Sequence, residues 1–350
     1  MKVLKLIFIN CLVLFVLCEL MLRIAWQSPY VPSYEKAHFH EPNQSIIFKN
    51  VSKIYGEADE VKFRTDNYGS IIGTTRIEDI LKDNYAIALG GSTTECALVP
   101  EGKRWPDLLS MPTINFGKSR LNSAHTLQNL NYVLENYKLN PKYLFIMDGI
   151  NNLSSYLSNG SADLLNPAPK SFYRLVLTYS YSLALIWTNI KSMDYLTFYR
   201  AQVSVNAQVP LIKDEILREF WKKEKSSILN FQVEVFSKLK EMTNKKGSRL
   251  VILTQPHAFE ENYIPQTIEL RSTPIINNKR LSIKQSKWLM DLYNETTIEA
   301  SNLVGLDVID ISQCFLRVNT SSLIYDAYHY TEKGSIYFAK CLSESLTLTE

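Results

Sequence analysis

Between Tyr85 and the C-terminus the chain alternates short, almost wholly apolar runs with longer stretches whose apolar residues recur at helical spacing. The runs are "NYAIALGG", "PTINFG", "KYLFIMDG", "SRLVILTQP" and "LDVIDIS". Apolar runs of this length, bounded by turn residues, predict strands buried on both faces. The segments between them predict helices from Asn122 to Tyr137, from about Lys213 to Lys245 and from about Ile283 to Leu303. A last helix is predicted from Glu332 to about Leu346. Strands separated by helices predict an α/β fold, with a central parallel sheet of about five strands covered on both faces. In such sheets ligands bind beyond the carboxyl ends of the strands, where the strand order reverses.

The flanks break the pattern. "MKVLKLIFINCLVLFVLCELMLRIAW" sets Lys2 and Lys5 ahead of a nearly unbroken apolar run, with Glu19 and Arg23 near its end. The basic-then-apolar order predicts a signal-anchor transmembrane helix over residues 1–26, with the basic end cytoplasmic and the rest of the chain extracytoplasmic. A cleaved signal peptide is the alternative, although no small-x-small site follows the run. Residues 27–80 read as a loosely structured lead-in in which "VKFRTDNYGSIIG" predicts a hairpin or edge strand. Residues 81–350 carry the alternating pattern, with an insertion at about 152–210. Inside the insertion "YRLVLTYSYSLALIWTNI" reads as a buried or docked helix, a second membrane span being the alternative.

Composition narrows the classes. An apolar share of 46% and a charged share of 21% are those of a folded protein. The net charge of +3, without a basic block, argues against nucleic acid as a partner. Of five cysteines, Cys11 and Cys18 fall in the N-terminal run and Cys96 in the body, while Cys314 and Cys341 could pair in an oxidising compartment. No cysteine spacing resembles a zinc site.

Candidate chemistry gathers at the strand ends. Ser92 follows the first strand, Gly117 the second, and Gly149 with Asn151 the third. In "IYDAYHYTEKG", Asp326 and His329 lie on a loop before the last helix, close enough for the carboxylate to orient the imidazole. Such a base could activate Ser92, and the backbone N–H of Ser92 and Gly117 and the amide of Asn151 would be donors for an oxyanion.

Taken in order, these blocks resemble those of the SGNH (GDSL-type) hydrolase superfamily: "GGSTTE" with Ser92, "NFG" with Gly117, "GINN" with Gly149 and Asn151, and "DAYH" with Asp326 and His329. The resemblance covers roughly Tyr85 to the C-terminus, apart from the insertion. It implies a three-layer α/β/α, flavodoxin-like sandwich and a serine esterase using no cofactor and no metal. With the anchor, it implies an acylated envelope or secreted polysaccharide as substrate and an envelope biosynthesis or export complex as partner. Deacetylation and O-acyl transfer use the same acyl-enzyme and stay open. Two residues depart from the pattern: Gly91 and Asn152 each stand where the family's blocks carry Asp. They keep open a degenerate, polysaccharide-binding module; a lipid esterase is the further alternative.

Other residues carry weaker signals. His257, after the fourth strand, is a candidate substrate contact or a structural loop histidine. His38 and His40 form an H-x-H, read mainly as non-ligating, and His125 reads as packing or surface. Thr93 and Thr94 are expected to cap the helix after Ser92, and Cys96 to pack as a small apolar residue. The tyrosines from Tyr156 to Tyr199 could stack on sugar, though core or interface is the plainer role.

Overall fold

A computed structural model describes residues 2–25, 39–49, 59–79, 84–159, 180, 182–183, 209–259, 275–276 and 279–347. The chain divides into two compact units, one formed by Met1–Glu35 with Ala168–Ser204, the other by Lys36–Pro167 with Val205–Glu350.

The first unit contains helix α1 (Lys2–Ala25). Its apolar side chains from Ile9 to Ile24 stand exposed, whereas Glu19 pairs with Arg23 and accepts bonds from Ser180 Oγ and Ser182 N. The expected membrane helix is not carried by this structure: among the described residues no helix is long and apolar enough to cross a membrane. Most of the insertion, including nearly all of "YRLVLTYSYSLALIWTNI", lies outside the described residues.

The second unit opens with an antiparallel hairpin, β1 (Ser45–Lys49) and β2 (Glu60–Arg64), paired from Ser45↔Arg64 to Lys49↔Glu60. Val61 and Phe63 point inward and Glu60 and Lys62 outward, the alternation of a half-buried strand. The described lead-in is thus more ordered than its mixed composition suggests. Phe39 packs on Phe116 with ring centroids 4.7 Å apart, and Ile71 N donates to Asn115 O.

Next come β3 (Ala86–Gly90), the short helix α2 (Ser92–Glu95), β4 (Thr113–Asn115), α3 (Ser123–Glu135), β5 (Tyr143–Met147) and α4 (Gly149–Asn159). There follow α5 (Asp214–Asn244), β6 (Arg249–Leu253), the two-residue strands β7 (Ile275–Ile276) and β8 (Lys279–Arg280), α6 (Ile283–Val304), β9 (Asp307–Ile309), α7 (Ile311–Phe315) and α8 (Glu332–Thr347). The central sheet has five parallel strands in the order β4-β3-β5-β6-β9. All five strands fall where the apolar runs predict them.

Strand periodicity sends alternate side chains to opposite faces, and here it divides the core in two. Ile87, Leu89, Leu144, Ile146, Leu250 and Ile252 join one cluster with Leu130 and Val133 of α3, Val235 and Leu239 of α5 and Leu289 of α6. Ala86, Ala88, Phe145, Met147, Val251 and Leu253 join another with Trp105, Phe315, Phe338 and Leu342. The result is a three-layer α/β/α sandwich. Burying each such Leu, Ile or Phe contributes about 2 kcal/mol. A capping box, Ser282 with Gln285, starts α6, and Gly305 ends it at φ 69°. Cys314 of α7 and Cys341 of α8 form a disulfide.

From β3 the chain runs outward to β4, then crosses back to β5 on the other side of β3. The order therefore reverses between β3 and β5, which pair from Ala86↔Tyr143 to Gly90↔Met147. Ser92 and Asn151 follow these two strands.

Candidate active site

Ser92 is the first residue of α2, one step past Gly91, the N-cap, and is partly exposed. Trp105 holds this turn from below, donating Nε1–H to Thr93 O at 3.1 Å while wholly buried. Arg104, also wholly buried, gives its guanidinium hydrogens to the carbonyls of Cys96, Ile72 and Lys62. One cation thereby joins the hairpin side of the unit to the serine turn.

The loop between α7 and α8 supplies the partner. Asp326 Oδ1 accepts from the backbone N–H of Tyr328 (2.8 Å) and His329 (2.9 Å), and Oδ2 lies 2.7 Å from His329 Nδ1. Burial would push the Asp326 carboxyl up, but the His329 charge and these hydrogen bonds outweigh it and hold the group at about 2. His329 Nε2 stands 2.7 Å from Ser92 Oγ. The Tyr325 ring stacks on the imidazole at a 5.7 Å centroid separation. Side-chain exposure is 28% at His329 and 7% at Asp326, so the chain of contacts runs from an accessible hydroxyl to a buried carboxylate. With the Nδ1 proton held by Asp326, Nε2 keeps its lone pair for the Ser92 hydroxyl proton.

Of the expected oxyanion donors, the Asn151 amide lies against the serine turn, and the Gly117 N–H is engaged by a neighbouring side chain. Asn151 Nδ2 donates to Leu121 O at 2.7 Å, and a Cβ on Gly91 would lie 2.0 Å from that nitrogen. The amide therefore rests against the residue before Ser92. A side chain at position 91 would displace it, which gives the Gly91 departure a steric reason. Gly117 gives its N–H to Asn115 Oδ1 at 2.8 Å, because the Asn115 side chain folds back over the loop while its Nδ2 donates to Thr94 O. What position 117 requires is the lack of a side chain: a Cβ there would stand 2.4 Å from Glu95 N.

His257 is buried. Its side chain is 2% exposed and Nε2 is bonded to Asp291 Oδ1 at 2.9 Å, so it presents no face to a substrate. Thr93 and Thr94 do not cap α2, whose N-cap is Gly91; Thr93 Oγ1 donates instead to Gln255 Oε1. His125 completes the capping box of α3 with Asn122. Cys96 is buried in the core, as expected. Tyr156 is buried and donates to Glu224. His38 lies outside the described residues, and His40 Nε2 contacts Glu95 Oε1 (3.1 Å) and Gly117 O (3.2 Å).

Two buried acids escape the motif reading. Glu95, on the same short helix as Ser92, is held by His40 and Ser119; burial would raise its pKa, but these partners and Lys118 lower it. Asp148 follows β5, just before Gly149. Burial pushes its carboxyl up to about 7 against hydrogen bonds from Thr126 and Ser123. Locally "DG" looks like a turn, so only a solvent-free strand end would have flagged it.

No protein-family profile matches the chain, and no curated protein matches it. Among solved structures it is similar to an α/β hydrolase from the metagenome of Lake Arreo, Spain, at 12% identity and TM-score 0.42, covering 76% of this chain and 96% of that one. It is also similar to a lipolytic G-D-S-L family protein from Veillonella parvula, at 13% identity and TM-score 0.40 over 75% and 98%. A third is an acetyl xylan esterase from Geobacillus stearothermophilus, at 12% identity and TM-score 0.38 over 79% and 95%. These values transfer no role to any residue.

Proposed function

We propose that the chain is a serine esterase or O-acyltransferase of SGNH type, with Ser92 as nucleophile, His329 as general base and acid, and Asp326 as orienter. The observation that carries this reading is the continuous contact Ser92 Oγ–His329 Nε2–Asp326, each link 2.7 Å. Ser92 Oγ attacks the ester carbonyl carbon as its proton passes to Nε2, forming a C–O bond and a tetrahedral oxyanion. The N–H of Ser92 and the second N–H of Asn151 receive that charge. Collapse breaks the bond to the leaving alkoxide, which takes the proton from Nε2. Water, or a sugar hydroxyl, then attacks the acyl-serine by the same proton route and restores Ser92.

As substrate we infer an O-acetyl ester of an envelope or secreted polysaccharide. The sequence resemblance supports this, and the Cys314–Cys341 disulfide supports an oxidising, extracytoplasmic setting. Membrane attachment is part of the reading, supported by the exposed apolar side chains of α1 from Ile9 to Ile24.

The test is turnover of p-nitrophenyl acetate by the full-length chain, beside Ser92→Ala and His329→Ala, with labelling by a serine-directed phosphonate. Loss of turnover in both variants and labelling only with Ser92 present supports the reading. A folded wild type that neither turns over nor labels refutes it, leaving a binding module. Faster turnover of long-chain than of acetyl esters would favour a lipid substrate. Sedimentation with liposomes that disappears on removing residues 2–25 supports attachment through α1; binding that persists refutes it.

A further inference from the structure

Beside Gly149 and Asn152 lies a small cavity lined by polar as well as apolar side chains. Asp148 occupies one wall; α3 contributes Ser123, α4 Asn152, α5 Gln232, α6 Tyr293, and the loop after β6 Gln255. One polar atom among these stays unpaired although buried, Gln232 Oε1. Among the described residues lining the cavity, Asp148 and Tyr293 are the titratable groups, and none is basic. Burial raises both, and the charge of an ionised Asp148 raises Tyr293 further. A carboxylate here would have no counter-ion, which is costly in a dry interior.

The hydrogen bonds of Asp148 lead to Asn151. Its Oδ1 accepts from Thr126 Oγ1 (3.0 Å) and its Oδ2 from Ser123 Oγ (3.3 Å). Ser123 Oγ in turn accepts from Asn152 Nδ2 (2.7 Å), and Ser123 N donates to Asn152 Oδ1 (2.8 Å). Asn151, one residue earlier, bonds to Leu121 O, two residues before Ser123. The side chains of Asn151 and Asn152 thus grip the same entrance to α3 that Asp148 holds from the core side.

We propose that Asp148 is a positioning residue for Asn151, acting through the knot Asp148–Ser123–Asn152 that joins the first turns of α3 and α4. The inference rests on the esterase reading above. It also gives Asn152 a purpose: an amide can donate to Ser123 Oγ and accept from Ser123 N at once, which an ionised carboxylate cannot. Since the carboxyl titrates near 7, alkaline pH ionises it, and the uncompensated charge pulls on Ser123 and Thr126. The Asn151 amide shifts with them, and kcat falls as pH rises.

The experiment follows kcat and KM for p-nitrophenyl acetate from pH 5 to 9 in full-length wild type, Asp148→Asn and Asp148→Ala. Thermal melting at each pH identifies folded samples. Expected for Asp148→Ala is a loss of kcat on the order of tenfold with KM within about twofold, as for a donor moved slightly out of place. Asp148→Asn should recover most of that loss and lack the decline above about pH 7 that wild type shows. Superimposable wild-type and Asp148→Asn profiles, in proteins whose turnover depends on Ser92, would overturn the assignment of Asp148 alone. Absence of Ser92-dependent turnover in wild type would overturn both readings.

Discussion

His329 Nε2 lies 2.7 Å from Ser92 Oγ although 237 positions separate the two residues. The contact depends on the Asp326–His329 loop being held from outside. Ala258 N donates to Ala327 O, and Tyr325 N to His329 O. The loop after β6 and the turn before α8 therefore bring the imidazole to the end of β3.

Asp326→Asn tests the orienting role without removing volume. Oδ1 serves two backbone N–H groups and Oδ2 the imidazole. An amide that keeps its oxygen toward the backbone must turn its NH2 toward Nδ1, which then has to accept. The proton moves to Nε2, and the base is lost. We expect kcat to fall about 10³- to 10⁴-fold while the circular dichroism spectrum is retained. A loss below about tenfold would exclude Asp326 from the proton path.

The same carboxylate ties stability to acid. Its folded value of about 2 lies below the ordinary 3.8, so folding favours the ionised form. That contribution is whole above the ordinary value and is lost as pH falls toward 2. The gap corresponds to about 2 kcal/mol. Urea denaturation at pH 6, 4 and 2 should show wild type losing its advantage over Asp326→Asn between the last two. A constant difference across the series would contradict the burial and bonding described.

How much of this was legible follows from the range of the interactions involved. Strands such as "YLFIM" read plainly because a doubly buried strand admits only apolar residues, and "DAYH" reads because Asp326 and His329 interact within one turn. The Gly117 N–H could serve a substrate or a neighbouring side chain, and in this structure the Asn115 rotamer takes it. His257 stayed open between a substrate contact and a structural histidine because its partner, Asp291, is 34 positions away on another element. The cysteine count permits a Cys314–Cys341 pair, but only the packing of α7 against α8 selects it.

Gly91→Ala separates the oxyanion donor from the rest of the site. The added methyl carbon would fall 2.0 Å from Asn151 Nδ2, and the amide must move. Backbone strain is not the cause, since φ at Gly91 is −83°. We expect kcat to fall on the order of 100-fold, near the effect of deleting an oxyanion donor. Phosphonate labelling of Ser92 should slow as well, while the melting temperature shifts by only a few degrees, as for a change of about 1 kcal/mol. Unchanged kcat would remove Asn151 from the list of donors.

Cys314 and Cys341 close a loop with a sequence separation of 27 that contains both Asp326 and His329. Closing a loop of that length restricts the unfolded chain and stabilises the fold by about 3.5 kcal/mol. Replacing both residues by serine leaves no stray thiol and should lower the melting temperature by roughly 10 °C. Esterase activity should be lost at correspondingly lower temperature, because the loop that carries the base is anchored by α7 and α8. Reductant should bring wild type to the behaviour of the double variant and leave the variant unchanged. Thiol titration of the denatured, unreduced protein supplies the direct check. Three free thiols, Cys11, Cys18 and Cys96, are expected; five would show that the bridge does not form and that α7 and α8 are held by packing alone.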